Sequence, residues 1–242
     1  MIPRFHTPSL LAPGLSLDLP PTAAHHAARV LRLQVNDEVR LFDGRGGEWT
    51  ARIARMKPTV HVVLDAYEPT SREPALRITL VQALPAADKM DWVIQKAVEL
   101  GVAAIRPVAA RRSVVRLSGE KVERRLSHWR SVAVAACEQS GRNLLPLVAP
   151  LLDLPQYLAQ ERAQNETRLL MLPDTATRLR DLAEPAGPVS ILVGPEGGFE
   201  EGEVQLAQLA GFVPTGFGPR VLRTETAGLA VVAAMMSTWG DC

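Results

Sequence analysis

The spacing of apolar residues divides the chain into two regimes. Up to about residue 70, apolar and polar positions alternate with the period-two pattern of half-buried strands. Val39-Arg40-Leu41-Phe42-Asp43-Gly44 ends in an Asp-Gly turn signal. Glu48-Trp49-Thr50-Ala51-Arg52-Ile53-Ala54 alternates, as does Val60-His61-Val62-Val63-Leu64. Short alternating runs divided by glycine turns predict a small sandwich or barrel, interrupted by one helix over residues 23–31. Gly44-Arg45-Gly46-Gly47 sits between two such runs and reads as a hairpin turn. Residues 67–74 hold Pro69 and Pro74 among mostly polar neighbours, which marks a linker. The expected organisation is a first domain over 1–70, a linker over 71–74 and a second domain over 75–242.

In the second region the pattern changes to strand-then-helix. Strands are predicted at 75–84, 103–108, 168–172 and 189–193, with a short one near Val213. Asp88 is a candidate cap for a helix whose apolar residues Met90, Val93, Ile94, Ala97 and Val98 fall at helical spacing, with Gly101 at the exit. A long helix over 120–140 places Leu126, Trp129, Val132, Ala133, Ala136 and Cys137 on one face. A last helix runs over 224–239. Strands alternating with helices imply an α/β domain with a mostly parallel sheet covered on both faces.

Composition narrows the function classes. The chain has 242 residues, 47% apolar and 22% charged, with a net charge of +1, as expected of a folded protein. A near-neutral balance neither demands nor excludes a nucleic-acid partner; any basic surface must be local. The two cysteines, Cys137 and Cys242, fit no metal-ligand spacing, so no metal is expected and a reducing cytoplasm is the simplest compartment. The first residues lack the charged-then-apolar order of a secretory signal. The longest apolar run, 227–236, is well short of the ~20 residues of a membrane span, so no membrane partner is expected.

The chemistry concentrates in the last fifty residues. Phosphate-loop, dinucleotide and nucleophile-elbow motifs are absent, and none of the histidines lies there, so a His-based hydrolase fits poorly. Instead, Gly194-Pro195-Glu196-Gly197-Gly198-Phe199 follows an apolar run and precedes an acidic helix start. A second loop, Gly216-Phe217-Gly218-Pro219-Arg220-Val221-Leu222-Arg223-Thr224-Glu225-Thr226-Ala227, also leads into an apolar helix. Glycine lets backbone approach a ligand closely, and strand-end loops are where α/β sheets bind small molecules. The two loops are expected to build one cleft. Thr224 is a candidate helix cap.

These loops resemble the two signature segments of the RsmE family, within the SPOUT class of RNA methyltransferases. Three other stretches agree: Asp88-Lys89-Met90-Asp91-Trp92-Val93-Ile94-Gln95-Lys96-Ala97-Val98-Glu99-Leu100-Gly101-Val102, Cys137-Glu138-Gln139-Ser140-Gly141-Arg142, and His26-Ala27-Ala28-Arg29-Val30-Leu31-Arg32 with Leu41-Phe42-Asp43-Gly44. The resemblance implies an N-terminal PUA-like β-barrel and a C-terminal SPOUT domain with a trefoil knot. It implies a homodimer that binds S-adenosyl-L-methionine at the knotted loops and forms N3-methyluridine in 16S rRNA of the 30S subunit, near the decoding site. On that basis Leu172, Gly194, Glu196, Gly197, Phe217, Gly218, Leu222, Arg223 and Thr226 are the candidate donor contacts. Arg223 is the candidate stabiliser of a uridine anion. Glu196 is the candidate general base, against a second reading in which it only bonds the loop's own N–H groups. Candidate RNA contacts are Arg4, Arg29, Arg32, Arg111, Arg112, Arg116 and Arg142. The alternatives are another SPOUT methyltransferase acting on tRNA or a ribose 2′-hydroxyl, a non-catalytic RNA-binding or ribosome-assembly protein, and a nucleotide-binding α/β protein.

Overall fold

The computed structural model describes residues 2–242. They form two compact units. One takes in residues up to Glu73 together with Cys137–Leu145; the other comprises Pro74–Ala136 and Pro146–Cys242.

In the first unit the alternating segments become strands. They are β1 (Arg4–His6), β2 (Ser16–Asp18), β3 (Glu38–Phe42), β4 (Glu48–Arg55) and β5 (His61–Glu68), with α1 (Pro21–His25) between β2 and β3. The sheet order is β1-β3-β4-β5-β2, with β1 parallel to β3 and the remaining pairs antiparallel. Val39, Leu41, Ala51, Ile53 and Val62 point to one face and are fully buried around Phe5. The expected helix over 23–31 divides: α1 passes directly into a wider π-helical turn over His26–Val30, and Arg32 then turns left-handed at φ 55. Strands β1 and β2 are three residues each, too short for an alternation to register.

Four of the candidate RNA-binding arginines, Arg4, Arg29, Arg32 and Arg142, belong to this unit, and the side chains of Arg4 and Arg142 are largely enclosed in it. Arg4 forms an ion pair with Glu48, and its other arm donates to Asn143 Oδ1 at 2.6 Å and to the Arg142 carbonyl at 3.2 Å. Arg142 grips Glu73 through Nε at 3.1 Å and Nη2 at 2.5 Å, and its side chain is 4% exposed. Two-point guanidinium–carboxylate contacts of this kind fix geometry. Both guanidinium groups are engaged internally, so neither presents its fork to a phosphate.

In the second unit the sheet is built from β6 (Ile78–Ala83), β7 (Ala104–Ala109), β8 (Leu147–Val148), β10 (Thr167–Met171), β11 (Val189–Val193) and β12 (Val213–Thr215). A short β9 (Leu152–Asp153) also pairs with β7. The order is β12-β10-β11-β6-β7-β8 and every pairing is parallel. All five residues of β11 are buried, the near-continuous apolar run of a strand covered on both faces. One face, with Val81, Ala83, Val108, Leu170 and Leu192, packs against α4 (Leu154–Leu158) and α5 (Glu201–Leu209). The other is covered by α6 (Thr224–Trp239), which packs on α2 (Lys89–Glu99). The long α3 (Glu120–Ser140) buries Leu126, Trp129, Ala133, Ala136 and Cys137. Burial pushes the Cys137 thiol up to about 12, which leaves it unreactive. Asp88 does not cap α2 with its side chain; it pairs with Arg125 at 3.0 Å. Among the described residues, no helix is long and apolar enough to cross a membrane, and no cluster of three or more His, Cys, Asp or Glu could hold a metal ion.

Helix α6 approaches the sheet at Gly228. A Cβ there would sit 2.8 Å from Leu80 Cδ1 and 3.3 Å from Val193 Cγ2. Gly228→Leu is therefore expected to overpack this contact and lower stability by about 1–3 kcal/mol, read from urea denaturation.

Candidate functional site

Parallel register brings the glycine loops together. Met171 pairs with both Val193 and Thr215, so β10, β11 and β12 end level with one another. The segments that leave them, at 172–173, 194–199 and 216–223, emerge side by side at the carboxyl edge, where open α/β sheets bind ligands. They enclose a cavity of about 470 Å³. That volume lies within the range of small-molecule sites.

The walls divide by chemistry. Leu172, Val193, Phe199, Phe217 and Leu222 supply apolar surface, and backbone supplies much of the rest. Gly198 (φ +68) and Gly218 (φ +153) line the cavity, and a Cβ at either would meet no protein atom within 4 Å. Side chains there would therefore extend into space left beside the backbone. A cavity with apolar walls and exposed main-chain groups suits a flat, polar-edged heterocycle, which backbone N–H and C=O groups can bond while the walls cover its faces.

A buried hydrogen-bond chain holds the two loops in place. The Thr224 hydroxyl donates to the Gly194 carbonyl at 2.5 Å and accepts from Gln82 Nε2 at 2.9 Å; the same amide donates to the Ala83 carbonyl at 3.0 Å. Thr224 is 6% exposed and Gln82 fully buried. The expected capping role of Thr224 is thus replaced. It is the first residue of α6, with Arg223 in the N-cap position and no side-chain cap, and its hydroxyl reaches across to the other loop. Gln82 was not foreseen, although a lone amide within Ile78-Thr79-Leu80-Val81-Gln82-Ala83 is the kind of buried polar residue that requires a partner.

A second cluster anchors Glu196. Its Oε1 accepts from the Ala86 N–H at 2.9 Å and lies 3.4 Å from Lys89 Nζ, which reaches Glu225 at 3.1 Å. Burial alone would push the Glu196 carboxyl up. The Ala86 N–H, its own backbone N–H and the Lys89 ammonium outweigh that and hold it below its ordinary value. The bond that the Lys89 ammonium donates to Glu225, opposed by desolvation and aided by Glu196, raises Lys89 in turn. Neither Lys89 nor Glu225 was foreseen; Lys89 read as an ordinary solvated helix-start residue.

Of the candidate donor contacts, Leu172, Gly194, Glu196, Gly197, Phe217, Gly218, Leu222 and Arg223 all line the one cavity. Thr226 is exposed on the first turn of α6 and does not. The arginines separate into three groups. Arg112 donates to the Gly197 carbonyl at 3.1 Å, and the neighbouring Arg111 and Arg116 are tied in, through the Arg111 N–H to buried Glu203 at 2.9 Å and through Arg116 to the Arg111 carbonyl at 2.7 Å. In the first unit Arg29 is exposed on the π-helical turn and Arg32 is exposed two residues beyond it. Arg4 and Arg142 are occupied internally, as described.

A parallel α/β sheet with paired carboxyl-edge loops, in a chain that also holds a small β unit, is consistent with an RNA methyltransferase of the SPOUT class. The sequence profile of an RNA methyltransferase domain matches residues 72–236, and that of an RNA methyltransferase PUA domain matches 19–65. The chain belongs to the ribosomal RNA small subunit methyltransferase E family, RsmE. It is 31% identical to the Bacillus subtilis ribosomal RNA small subunit methyltransferase E, over 87% of this chain and 86% of that one. The crystal structure of a ribosomal RNA small subunit methyltransferase E from Neisseria gonorrhoeae bound to S-adenosyl methionine superposes with a TM-score of 0.94 at 42% identity. It covers 100% of this chain and 99% of its own. A putative methyltransferase from Legionella pneumophila, in complex with the same cofactor, gives 0.95 at 35% identity with both chains fully covered.

Two outcomes follow from the anchors. Thr224→Val keeps the shape but leaves one Gln82 amide N–H and the Gly194 carbonyl without their partner, and should cost about 1–3 kcal/mol in chemical denaturation, with Thr224→Ser close to wild type. A carboxylate held below its ordinary value stabilises the fold above its unfolded value and loses that contribution as pH falls through the folded one. The stability difference between wild type and Glu196→Gln, present at neutral pH, should therefore shrink below about pH 4 in thermal melts.

Proposed function

We propose that this protein transfers the methyl group of S-adenosyl-L-methionine to N3 of a uridine in 16S rRNA, near the decoding site of the 30S subunit, as a cytoplasmic homodimer. The observation that carries the reading is the single cavity at the ends of β10, β11 and β12, lined by eight of the nine candidate donor contacts. The relative from Neisseria gonorrhoeae, which binds this donor, supports the choice of ligand. The trefoil threading implied by the family resemblance belongs to the same proposal. It is supported by the placing of β10 and β11 between β12 and β6, and by the hydroxyl bond that returns the chain at Thr224 to Gly194.

In this reading Leu172, Phe217 and Leu222 cover the faces of the donor's adenosine. Main-chain groups of Gly194, Gly197 and Gly218 bond its edges. The donor supplies an electrophilic methyl on a sulfonium sulfur, and the protein must hold the uracil N3 within about 3–3.5 Å of it and in line. N3 is a weak acid, so its proton must leave and negative charge develops on the ring. Arg223, exposed at the mouth of α6 and lining the cavity, stabilises that charge. Glu196 holds the glycine loop against Ala86 and Lys89. Its lowered pKa makes it a poorer proton acceptor, so the anchoring role is favoured over the general-base role. Arg111, Arg112 and Arg116 approach the RNA backbone beside the loop, and Arg29 and Arg32 do so from the first unit. The target uridine must be unstacked to reach the donor.

Incubated with labelled donor, undermethylated 30S particles should gain label that maps to uridine N3. Arg223→Ala should lower turnover about 100-fold with a much smaller change in donor affinity. Label in tRNA or on a ribose hydroxyl would reassign the substrate. Donor binding without transfer would leave an RNA-binding protein, and calorimetry showing ATP bound in preference would leave a nucleotide-binding one.

A further inference from the structure

A second cavity, of about 610 Å³, lies on the other side of the Phe217–Arg220 loop. Phe217, Gly218 and Arg220 line both cavities, so this loop is their common wall. The second is lined by Arg178, Arg180 and Arg220, with Trp239 and Phe217 as aromatic surface, and no acidic residue is among its walls.

Several arginines of this unit are paired with acids. Arg125 pairs with Asp88 at 3.0 Å, Arg168 with Glu166 at 2.9 Å and Arg111 with Glu200 at 3.6 Å. Arg178 and Arg220 have no ion-pair partner among the described residues. Arg180 has only its neighbour Asp181 at 3.6 Å, with its own side chain 86% exposed. In a chain of net charge +1, three arginines around one hollow, two unpaired and the third met only by an exposed neighbouring acid, concentrate positive potential there. Arg178 is also held in place. The Gly216 N–H donates to the Thr177 carbonyl at 2.9 Å, and the Leu179 N–H to the Gly216 carbonyl at 3.0 Å. A Cβ on Gly216 would come within 3.5 Å of Arg178 Nη1, so the guanidinium lies across that glycine.

We propose that this second cavity holds backbone phosphates of the RNA strand whose uridine enters the first. The inference rests on the function proposed above and names a subsite for its substrate. Guanidinium forks match phosphate oxygens, and exposed aromatic rings give a flanking base a stacking surface without demanding a particular sequence. The shared loop sets the division of labour. Its first-cavity side meets the reacting nucleoside, while its second-cavity side grips the backbone beside it and fixes the angle at which the base enters.

The test uses the full-length protein and undermethylated 30S particles, with binding measured over a range of salt. Arg178→Ala with Arg180→Ala removes two cations that line only the second cavity. Binding should weaken at every salt concentration, and the slope of log K against log salt should become shallower by about 1.4, at ~0.7 per single-strand phosphate contact. Arg178→Lys with Arg180→Lys keeps the charge and should restore most of the slope. Donor affinity in calorimetry should stay at the wild-type value. An unchanged slope and affinity in the alanine variant would overturn the proposal. So would a change in oligomeric state with the slope intact, which would assign the cavity to a second copy of the chain. Wild-type protein that fails to bind the donor or the particles would instead defeat the underlying function.

Discussion

One buried hydroxyl holds the active region together. Thr224 bonds the Gly194 carbonyl and the Gln82 amide at once, and so ties the end of β6, the glycine loop after β11 and the start of α6 at a single point. Strand pairing already sets Gln82 opposite Val193; the hydroxyl adds the start of α6 to that pair and fixes the loop carbonyl. A carbonyl in a glycine-rich loop has many orientations open to it; bonded to a side chain locked by a fully buried amide, it has few. The cavity owes its shape to that restriction, because its walls are the segments so joined. Glu196 and Lys89 reinforce the same loop from the side of α2 with charge in place of a neutral hydroxyl.

Charge is distributed with the same economy. Near the glycine loop the acids are matched: Glu196 and Glu225 share Lys89, and Glu203 takes the Arg111 N–H. In the first unit Arg4 and Arg142 are neutralised by Glu48 and Glu73. Arg220 and Arg223, on the loop at the carboxyl edge, and Arg178, which shares the second cavity with Arg220, have no acid paired with them among the described residues. A protein of nearly zero net charge can thus present a local cationic surface to a polyanion by pairing many of its acids elsewhere.

Local patterns carried most of the elements and nearly all of the cavity. Strand period, apolar helix faces and the two glycine segments were sufficient to place β3 to β7, β10, β11, α2, α3 and α6. The two glycine segments put Gly194 and Gly218 in one expected cleft, and the family resemblance added Leu172 to it. What they could not carry were pairings between distant residues. Thr224 at a helix start reads as a cap because capping is the local option, and only the fold reveals the carbonyl thirty residues away. Asp88 misled in the same way, since Arg125 lies on another helix. Arg4 and Arg142 looked like surface cations because nothing near them in sequence announces Glu48 or Glu73. Gln82 carried the one available hint, a polar residue in a strand that is otherwise apolar.

The parallel sheet also orders events in time. The strand beside β6 is β11, which pairs Ile78 with Val189, and the amide of Gln82 waits for a hydroxyl 142 residues further on. Such long loops must close before their contacts reward them, which makes this a slow topology. On a ribosome the last helix would still be inside the exit tunnel when most of the sheet was outside. The pocket therefore closes only once α6 has joined the sheet, because the segment leading into that helix is one of its walls.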